Sequence, residues 1–347
     1  MERVSYLIRR LLLMVPTFLG ITLVCFALTR FLPGGPVELR LMRMRGVAAG
    51  GETAVQASAR GVTEEYRLQL ERQFGFDKPL VEQYWNWLVV NRMGLKLPSY
   101  DYPNKTAGEL IASRIPISLT FGLAAFFLTY CVCVPLGIMK ALRHRQAFDA
   151  LSSVVVFVAY AVPAFALAMC LKMAFCGTVD SLWDVFPLGG VSSDFDVAPS
   201  FGTWLMDRIR HMILPVACYV AGCFAMLTML MKNSLLDQMS ADYVRTVIAK
   251  GATRRRAIWA HAFRNALIPI VTGFGPMVGL VFAGSIIIES IFDIPGMGRL
   301  SWDALVGRDY AVFLALLALT SLFQLVGQLV SDVLYLFVDP RIDFKGR

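Results

Sequence analysis

The sequence predicts an all-α integral membrane protein with six transmembrane helices and both termini in the cytoplasm. Hydrophobic residues make up 57% of the 347 residues and charged residues 17%, whereas average soluble domains contain about 45–50% and about 25%. Six apolar runs are long enough to cross a bilayer as a helix, which takes about 20 residues. All six should be helical, because lipid offers no hydrogen-bond partners to an open backbone.

The predicted spans divide the chain into three parts. These are an N-terminal tail with the first span (1–32), a large periplasmic region (33–114), and a membrane core (115–347) that contains one long inner loop (232–265). The first span runs into Pro33 without a small-residue cleavage site, so we predict a retained anchor and not a cleaved signal peptide. The six runs lie at about 11–32, 115–139, 151–176, 212–231, 266–288 and 311–338.

Lysine and arginine are concentrated on one side of the predicted membrane. With the N-terminus inside, the inner segments hold sixteen of them, and the two short outer loops hold four. The long outer region is also basic, but long loops have little influence on orientation. This asymmetry predicts cytoplasmic termini. The inner segments are 1–10, 140–150, 232–265 and 339–347, and the outer arginines are Arg208, Arg210, Arg299 and Arg308.

The net charge of +8 follows from this inner excess. It does not indicate binding to nucleic acid, because little of the chain can form the soluble basic domain that such binding needs.

The seven cysteines lie in or at the ends of apolar runs, without CxxC or zinc-like spacing, so we interpret them as small buried hydrophobes. The spacing of Asp180, Asp184, Asp194 and Asp196 in the outer segment 177–210 matches no EF-hand loop, which favours a solvated acidic loop over a calcium site. We therefore predict no metal site.

The inner loop 232–265 carries the most informative pattern. Its apolar residues recur at helical spacing and form one stripe. Gly251 is placed to end this helix in a left-handed conformation, and Thr253 is placed to cap a second short helix over Arg254–His261. The loop could lie on anionic lipid or dock onto a cytoplasmic partner, and the residues alone leave both open. The stripe consists of Leu235, Leu236, Met239, Tyr243, Val244, Val247 and Ile248.

This loop closely resembles the coupling loop of ABC-importer permeases, above all of the dipeptide/oligopeptide branch. The resemblance rests on DYVRTVIAKGAT at 242–253, followed by HAFRNALIP at 261–269. The generic motif has Glu-Ala-Ala where this chain has Arg245, Thr246 and Val247, so the generic glutamate cannot be carried over. By resemblance, the residues that couple to the ATPase are Tyr243, Thr246, Ala249, Lys250, Gly251, Ala252 and Thr253.

The resemblance extends over nearly the whole chain. FGFDKPL at 74–80, IFDIPGMGRL at 291–300 and VDPR at 338–341 are similar to signatures of the same family. Residues 41–62 look like an insertion relative to most members. Together with the ending 341–347, this insertion resembles the branch associated with microcin C uptake.

The resemblance implies a type I ABC-importer permease, in the bacterial inner membrane, that is not an enzyme. No GxxxxGK[ST] occurs in the chain, so it has no P-loop for ATP phosphates. The implied partners are a sister permease in a heterodimer, ATPase subunits that bind ATP-Mg, a periplasmic substrate-binding protein and the lipid bilayer. The implied cargo is di- or oligopeptides, or peptide-like compounds such as microcin C; nickel, glutathione or a sugar is the alternative.

Polar residues on the last span suggest where cargo could pass. Gln324, Gln328 and Asp332 are spaced four apart and share one helical face. Intramembrane polar groups usually face the bundle interior or a water-filled cavity. This stripe therefore lines a path, makes hydrogen bonds between helices or lies at the membrane interface. Gly275 and Gly279 form a small-xxx-small pair, which predicts close packing against a neighbouring helix or the sister permease.

The sequence supports two other classes of function less well. A membrane-embedded protease would need HExxH, or a nucleophile with a base, within the spans, and neither is present. A self-sufficient channel or secondary transporter has no ATPase subunit, so it would not need a loop that docks onto one.

Overall fold

A computed structural model describes residues 2–31, 68, 77–102, 104–177, 183–195 and 199–338. The described residues are almost entirely helical, with two isolated β-bridges and no strand. The predicted insertion at 41–62 and the ending at 341–347 lie outside them. The helices are α1 Glu2–Phe31, α2 Leu80–Trp85, α3 Ala107–Leu142, α4 Ala147–Ala161, α5 Ala164–Phe175, α6 Phe201–Ser240, α7 Asp242–Ala249, α8 Arg254–Ala257, α9 Phe263–Ala266, α10 Ile268–Thr272, α11 Phe274–Ala283, α12 Ile286–Ile291, α13 Met297–Val306 and α14 Tyr310–Val338.

Four described helices are long and apolar enough to cross a membrane unbroken, and two bent helix pairs would bring the number to six. The predicted number of six is therefore reached only when each bent pair is counted as one span. The run 151–176 bends by 95° between α4 and α5, because Pro163 forces the preceding Val162 into an extended conformation. The run 266–288 is divided among α10, α11 and α12, and Gly284 adopts a positive φ of 69° before α12.

Helix α6 is much longer than the predicted span 212–231. It has 40 residues, and at about 1.5 Å per residue it measures about 60 Å, twice the thickness of the hydrocarbon core. Its last nine residues belong to the predicted inner loop. The stripe predicted to lie on one helix is consequently divided at Ala241, whose backbone is extended, with φ −68° and ψ 146°.

The chain forms two compact units, one of residues 15–113 and 300–321, and the other of 1–14, 114–299 and 322–347. The smaller unit has an aromatic core in which Phe26, Trp87, Leu314 and Ala318 are buried.

The buried carboxylate of Asp309 also stabilises the smaller unit. The carboxylate accepts hydrogen bonds from the hydroxyl of Ser99 at 2.5 Å, from the amide of Tyr100 at 2.9 Å and from the amide of Val312 at 3.2 Å, and so caps α14.

In the larger unit, helices cross closely at glycines. The position of a Cβ on Gly275 lies 2.9 Å from backbone atoms of Gly327 and Gln328 in α14, and that on Gly279 lies 3.2 Å from Gln324. The close packing predicted for the two glycines is thus confirmed, and the neighbour is α14 of the same chain. Lipid gives helices little hydrophobic reason to associate, so backbone approach at small residues supplies the packing contacts.

The buried carboxylate of Glu289 organises the segment from Gly284 to Arg299 in the same unit. It accepts hydrogen bonds from the Ser118 hydroxyl of α3 at 3.1 Å, from the Arg299 amide at 2.8 Å and from the Ser285 amide at 3.4 Å. A Cβ at Gly284 or Gly296 would overlap this carboxylate. The glycines of the PGMG sequence therefore leave room for a buried glutamate, a role that their spacing alone did not indicate.

Replacing Gly275 by Ala should destabilise the folded chain, because the new methyl group would meet the backbone of α14. We expect a loss of roughly 1–3 kcal/mol, the usual cost of overpacking. Gly222 in α6 is the matched control, since its Cβ position has nothing within 4 Å and Gly-to-Ala in a helix interior stabilises by about 0.5–1 kcal/mol. Thermal unfolding of the purified variants in detergent measures both. Equal effects at the two positions would contradict the close crossing.

Candidate functional site

The loop beyond α6 is a helix–turn–helix that runs from α7 to α9. Its first helix, α7, ends in a Schellman motif, in which the amide of Ala252 donates to the carbonyl of Val247 at 3.2 Å and the amide of Gly251 donates to Ile248 at 2.9 Å. Gly251 has a φ of 93° and nothing within 4 Å of its Cβ position. Glycine is therefore favoured there by backbone conformation and not by crowding, as the sequence predicted.

The second helix begins at the predicted cap but continues beyond the predicted end. The Thr253 hydroxyl accepts a hydrogen bond from the Arg256 amide at 3.3 Å. The predicted end at His261 is wrong, because the chain passes through a π-helical turn at Ile258–Ala262 and continues as α9 to Ala266. Single π-turns within helices often occur at functional sites.

The inner faces of both helices are buried against the rest of the larger unit. Val244 in α7 is 2% exposed, and Ala257 and Ala262 are fully buried. They belong to one apolar cluster with Met231 and Leu235 of α6, and this cluster also includes Ala141 near the end of α3. The buried part of the stripe cannot enter a bilayer, which weighs against the loop lying on lipid through that face.

The seven predicted coupling residues lie together around the turn. Thr246, Ala249, Lys250, Gly251 and Thr253 are exposed, and Ala252 is half-buried. The Tyr243 hydroxyl lies 2.8 Å from Gln238 Oε1 and 3.1 Å from the Asn265 amide nitrogen, so it joins the end of α6 to α9. The turn is thus exposed at its tip, and these hydrogen bonds hold its base in place.

The exposed side of the helix–turn–helix is strongly basic. Between residues 242 and 266 there are six arginines and lysines and one aspartate. Arg254, Arg255 and Arg256 are all exposed in the first turn of α8. Exposed apolar groups lie among these charges: Ile248 is 42% exposed and Trp259 is 46% exposed. A surface of this composition suits a protein partner with acidic and apolar groups.

The three polar residues of α14 share a face, but their surroundings differ. Gln324 is exposed and Gln328 is half-buried, and the backbone at both lies against the glycines of α11. Asp332 forms an ion pair with Arg10 of α1, with Nε and Oδ2 2.5 Å apart. Asp332 therefore has a structural partner in α1.

A buried charge cluster that the sequence pattern did not indicate lies just beneath the helix–turn–helix. Lys140 in α3, Asp149 in α4 and Lys232 in α6 meet there, each at most 11% exposed at its side chain. In the sequence, Lys140 and Lys232 count only among the inner cations, and nothing singles out Asp149. Three charges that end adjacent spans on the inner side are the signal that could have indicated the cluster.

Residues 133–344 match the model of the family described as binding-protein-dependent transport system inner membrane component. The chain belongs to this family. It is 38% identical to the inner membrane ABC transporter permease protein YejB of Escherichia coli O157:H7, over 99% of this chain and 100% of the relative. Identity is 35% to the peptidoglycan transport system permease protein YejB of Agrobacterium fabrum, over 99% of both chains.

A further relative is the dipeptide transport system permease protein DppB of Escherichia coli strain K12, at 33% identity over 98% of this chain and 99% of the relative. The chain is therefore a permease component of the peptide ABC-importer family. It is a multi-pass protein of the inner membrane and a transmembrane subunit rather than an enzyme. This confirms the family that the coupling-loop residues predicted.

Proposed function

We propose that this chain forms one half of the membrane pathway of an ATP-driven importer for peptides, with both termini in the cytoplasm. The observation that carries the proposal is the helix–turn–helix 242–266. It presents an exposed turn at Gly251 on a base that is buried against α3 and α6. A rigid protrusion joined to membrane-crossing helices can pass the movement of an external subunit to those helices.

The proposed partners are those that the family implies. ATPase subunits bind ATP-Mg and close on the exposed turn, while this chain binds no nucleotide. A sister permease completes the pathway as a heterodimer, and a periplasmic binding protein delivers cargo. Closure of the ATPases then shifts the permease between inward-open and outward-open states, because the ATP-bound form has different affinities for the two.

Two classes of cargo have support. The resemblance of residues 41–62 and 341–347 to the microcin C branch favours peptide-like compounds of that kind. The Agrobacterium relative, named as a peptidoglycan transport permease, favours peptide-containing compounds related to peptidoglycan. Both are peptidic, and we propose that the binding protein does much of the selection between them.

We also propose that Gln324 and Gln328 line the path. Gln324 is exposed and Gln328 half-buried in the larger unit, and the crossing with α11 contacts both residues and so fixes their position. Replacing Gln328 by Leu should alter the dependence of uptake on peptide concentration. Unchanged kinetics would assign the residue to packing.

Replacing Gly251 by Asp should abolish peptide uptake and leave membrane insertion intact. A side chain at φ 93° is strained, at a cost of roughly 1–2 kcal/mol for a left-handed residue, and the new carboxylate alters the exposed tip. The measurement is uptake of a labelled peptide by proteoliposomes that contain the complete transporter. Asp at Gly202 is the matched control, because this exposed glycine also has nothing within 4 Å of its Cβ position but lies at the far end of α6. Normal uptake with the Gly251 variant would contradict the coupling role.

A further inference from the structure

Three buried charged residues meet where the inner ends of α3, α4 and α6 come together. The ammonium nitrogen of Lys232 lies 2.7 Å from Oδ1 and 2.9 Å from Oδ2 of Asp149. That of Lys140 lies 3.2 Å from the same Oδ1. The two ammonium groups are therefore within about 6 Å of each other. Their side chains are 0% exposed at Lys140, 8% at Asp149 and 11% at Lys232.

The two lysines are held differently. Lys140 also donates to the Ser152 hydroxyl at 2.8 Å, the Ser153 hydroxyl at 2.7 Å and the Asp149 carbonyl at 3.0 Å. All three acceptors belong to α4. Within the part of the chain that the structure describes, Lys232 donates only to the Asp149 carboxylate. Asp149 is thus the single group that joins α6 to the pair of α3 and α4 by charge. His144 Nδ1 and the Arg145 amide, each 3.3 Å from Asp149 Oδ2, orient the carboxylate from the connection between α3 and α4.

Helices α3 and α6 are in backbone contact one turn away from this cluster. A Cβ on Gly137 would lie 2.7 Å from the carbonyl of Thr228 and from Cβ of Met231. Such a close crossing brings Lys140 and Lys232 together at the inner ends. Two like charges in a poorly solvated site repel strongly unless an opposite charge lies between them. The position of Asp149 therefore decides whether these helix ends attract or repel.

The cluster is adjacent to the base of the helix–turn–helix. Ala141 follows Lys140, and Met231 precedes Lys232, and both belong to the apolar cluster that buries Val244 and Ala257. A displacement of the helix–turn–helix thus acts first on the helix ends that carry the three charges.

We propose that Asp149, with Lys140 and Lys232, is an electrostatic clamp that positions the inner ends of α3 and α6 for coupling. With Asp149 between the lysines, α3, α4 and α6 move together. Without the carboxylate between them, the two ammonium groups repel and the inner ends of α3 and α6 separate. The inference rests on the proposed function, because the movement it controls is the one that the ATPase subunits drive.

The first test measures the separation of the helix ends directly. Spin labels at Leu142→Cys and Asn233→Cys, both exposed positions, report the distance between α3 and α6 by pulsed electron paramagnetic resonance. The label sites are placed in a cysteine-free background of the complete transporter without nucleotide. Asp149→Asn should lengthen or broaden this distance distribution. The control Asp237→Asn removes an exposed aspartate of α6 and should leave it unchanged.

The decisive variant is Asp149→Asn combined with Lys232→Gln. It removes one of the two repelling charges, leaves Lys140 with its three neutral acceptors, and should restore the wild-type distance. A merely structural role predicts the opposite, because the double variant has lost more hydrogen bonds than the single one. If Asp149→Asn alone does not yield folded protein, the double variant should. Failure of the double variant to fold or to restore the distance would overturn the clamp, as would an unchanged distance in Asp149→Asn.

The second readout is the amount of peptide transported per ATP hydrolysed in proteoliposomes. Asp149→Asn should lower this ratio roughly fivefold or more, the lower end of typical allosteric coupling, and the double variant should recover it at least in part. An unchanged ratio in Asp149→Asn would overturn the proposal. If the wild-type transporter moves no peptide, the proposed function fails, and the distance measurements still decide for or against the clamp.

Discussion

The base of the helix–turn–helix depends on the burial of small and β-branched residues against the inner ends of α3 and α6. Val244 is 2% exposed, and Ala257, Ala262 and Ala266 are fully buried. Burying one valine side chain stabilises by about 1.5–3 kcal/mol, so the protrusion cannot separate from the helices beneath it at low cost. The exposed turn can therefore transmit movement only because the opposite face of the helix–turn–helix is packed in the core. The proposed coupling, and the charge clamp beneath it, both follow from this attachment.

Within the membrane core, close approach of helices replaces the hydrophobic effect as the source of packing. Gly275, Gly279 and Gly327 let α11 lie against α14, and Gly122 lets α3 lie against Val281. Where a helix is interrupted within an apolar run, buried polar groups hold the chain in place through hydrogen bonds. Glu289 holds the segment after α11 through the Ser118 hydroxyl and two backbone amides. The larger unit thus combines tight glycine crossings with a few satisfied buried charges.

The sequence predicted that the protein spans the membrane, where its apolar runs lie, and the helix end and helix cap in the inner loop 232–265. These features depend on local composition and on glycine and capping residues. The sequence did not predict where the membrane-spanning helices stop. Hydropathy cannot show that α6 continues for nine residues beyond the apolar run 212–231, nor that Ala241 divides the stripe. The bend before Pro163 could have been predicted from the proline. The partners of Asp149, Glu289 and Asp332 lie 83, 171 and 322 residues away, and a single sequence does not indicate such pairs.

The most direct test of the account is site-specific photo-crosslinking from the exposed turn in intact membranes. A photoreactive amino acid at Lys250 should capture a P-loop ATPase subunit. The same group at Phe201, an exposed residue at the opposite end of α6, should not. Capture from Lys250 alone would place the turn against the motor subunit, as the account predicts. Capture of lipid only, or no ATPase adduct from Lys250 when the complete transporter is present, would contradict the coupling role of the helix–turn–helix.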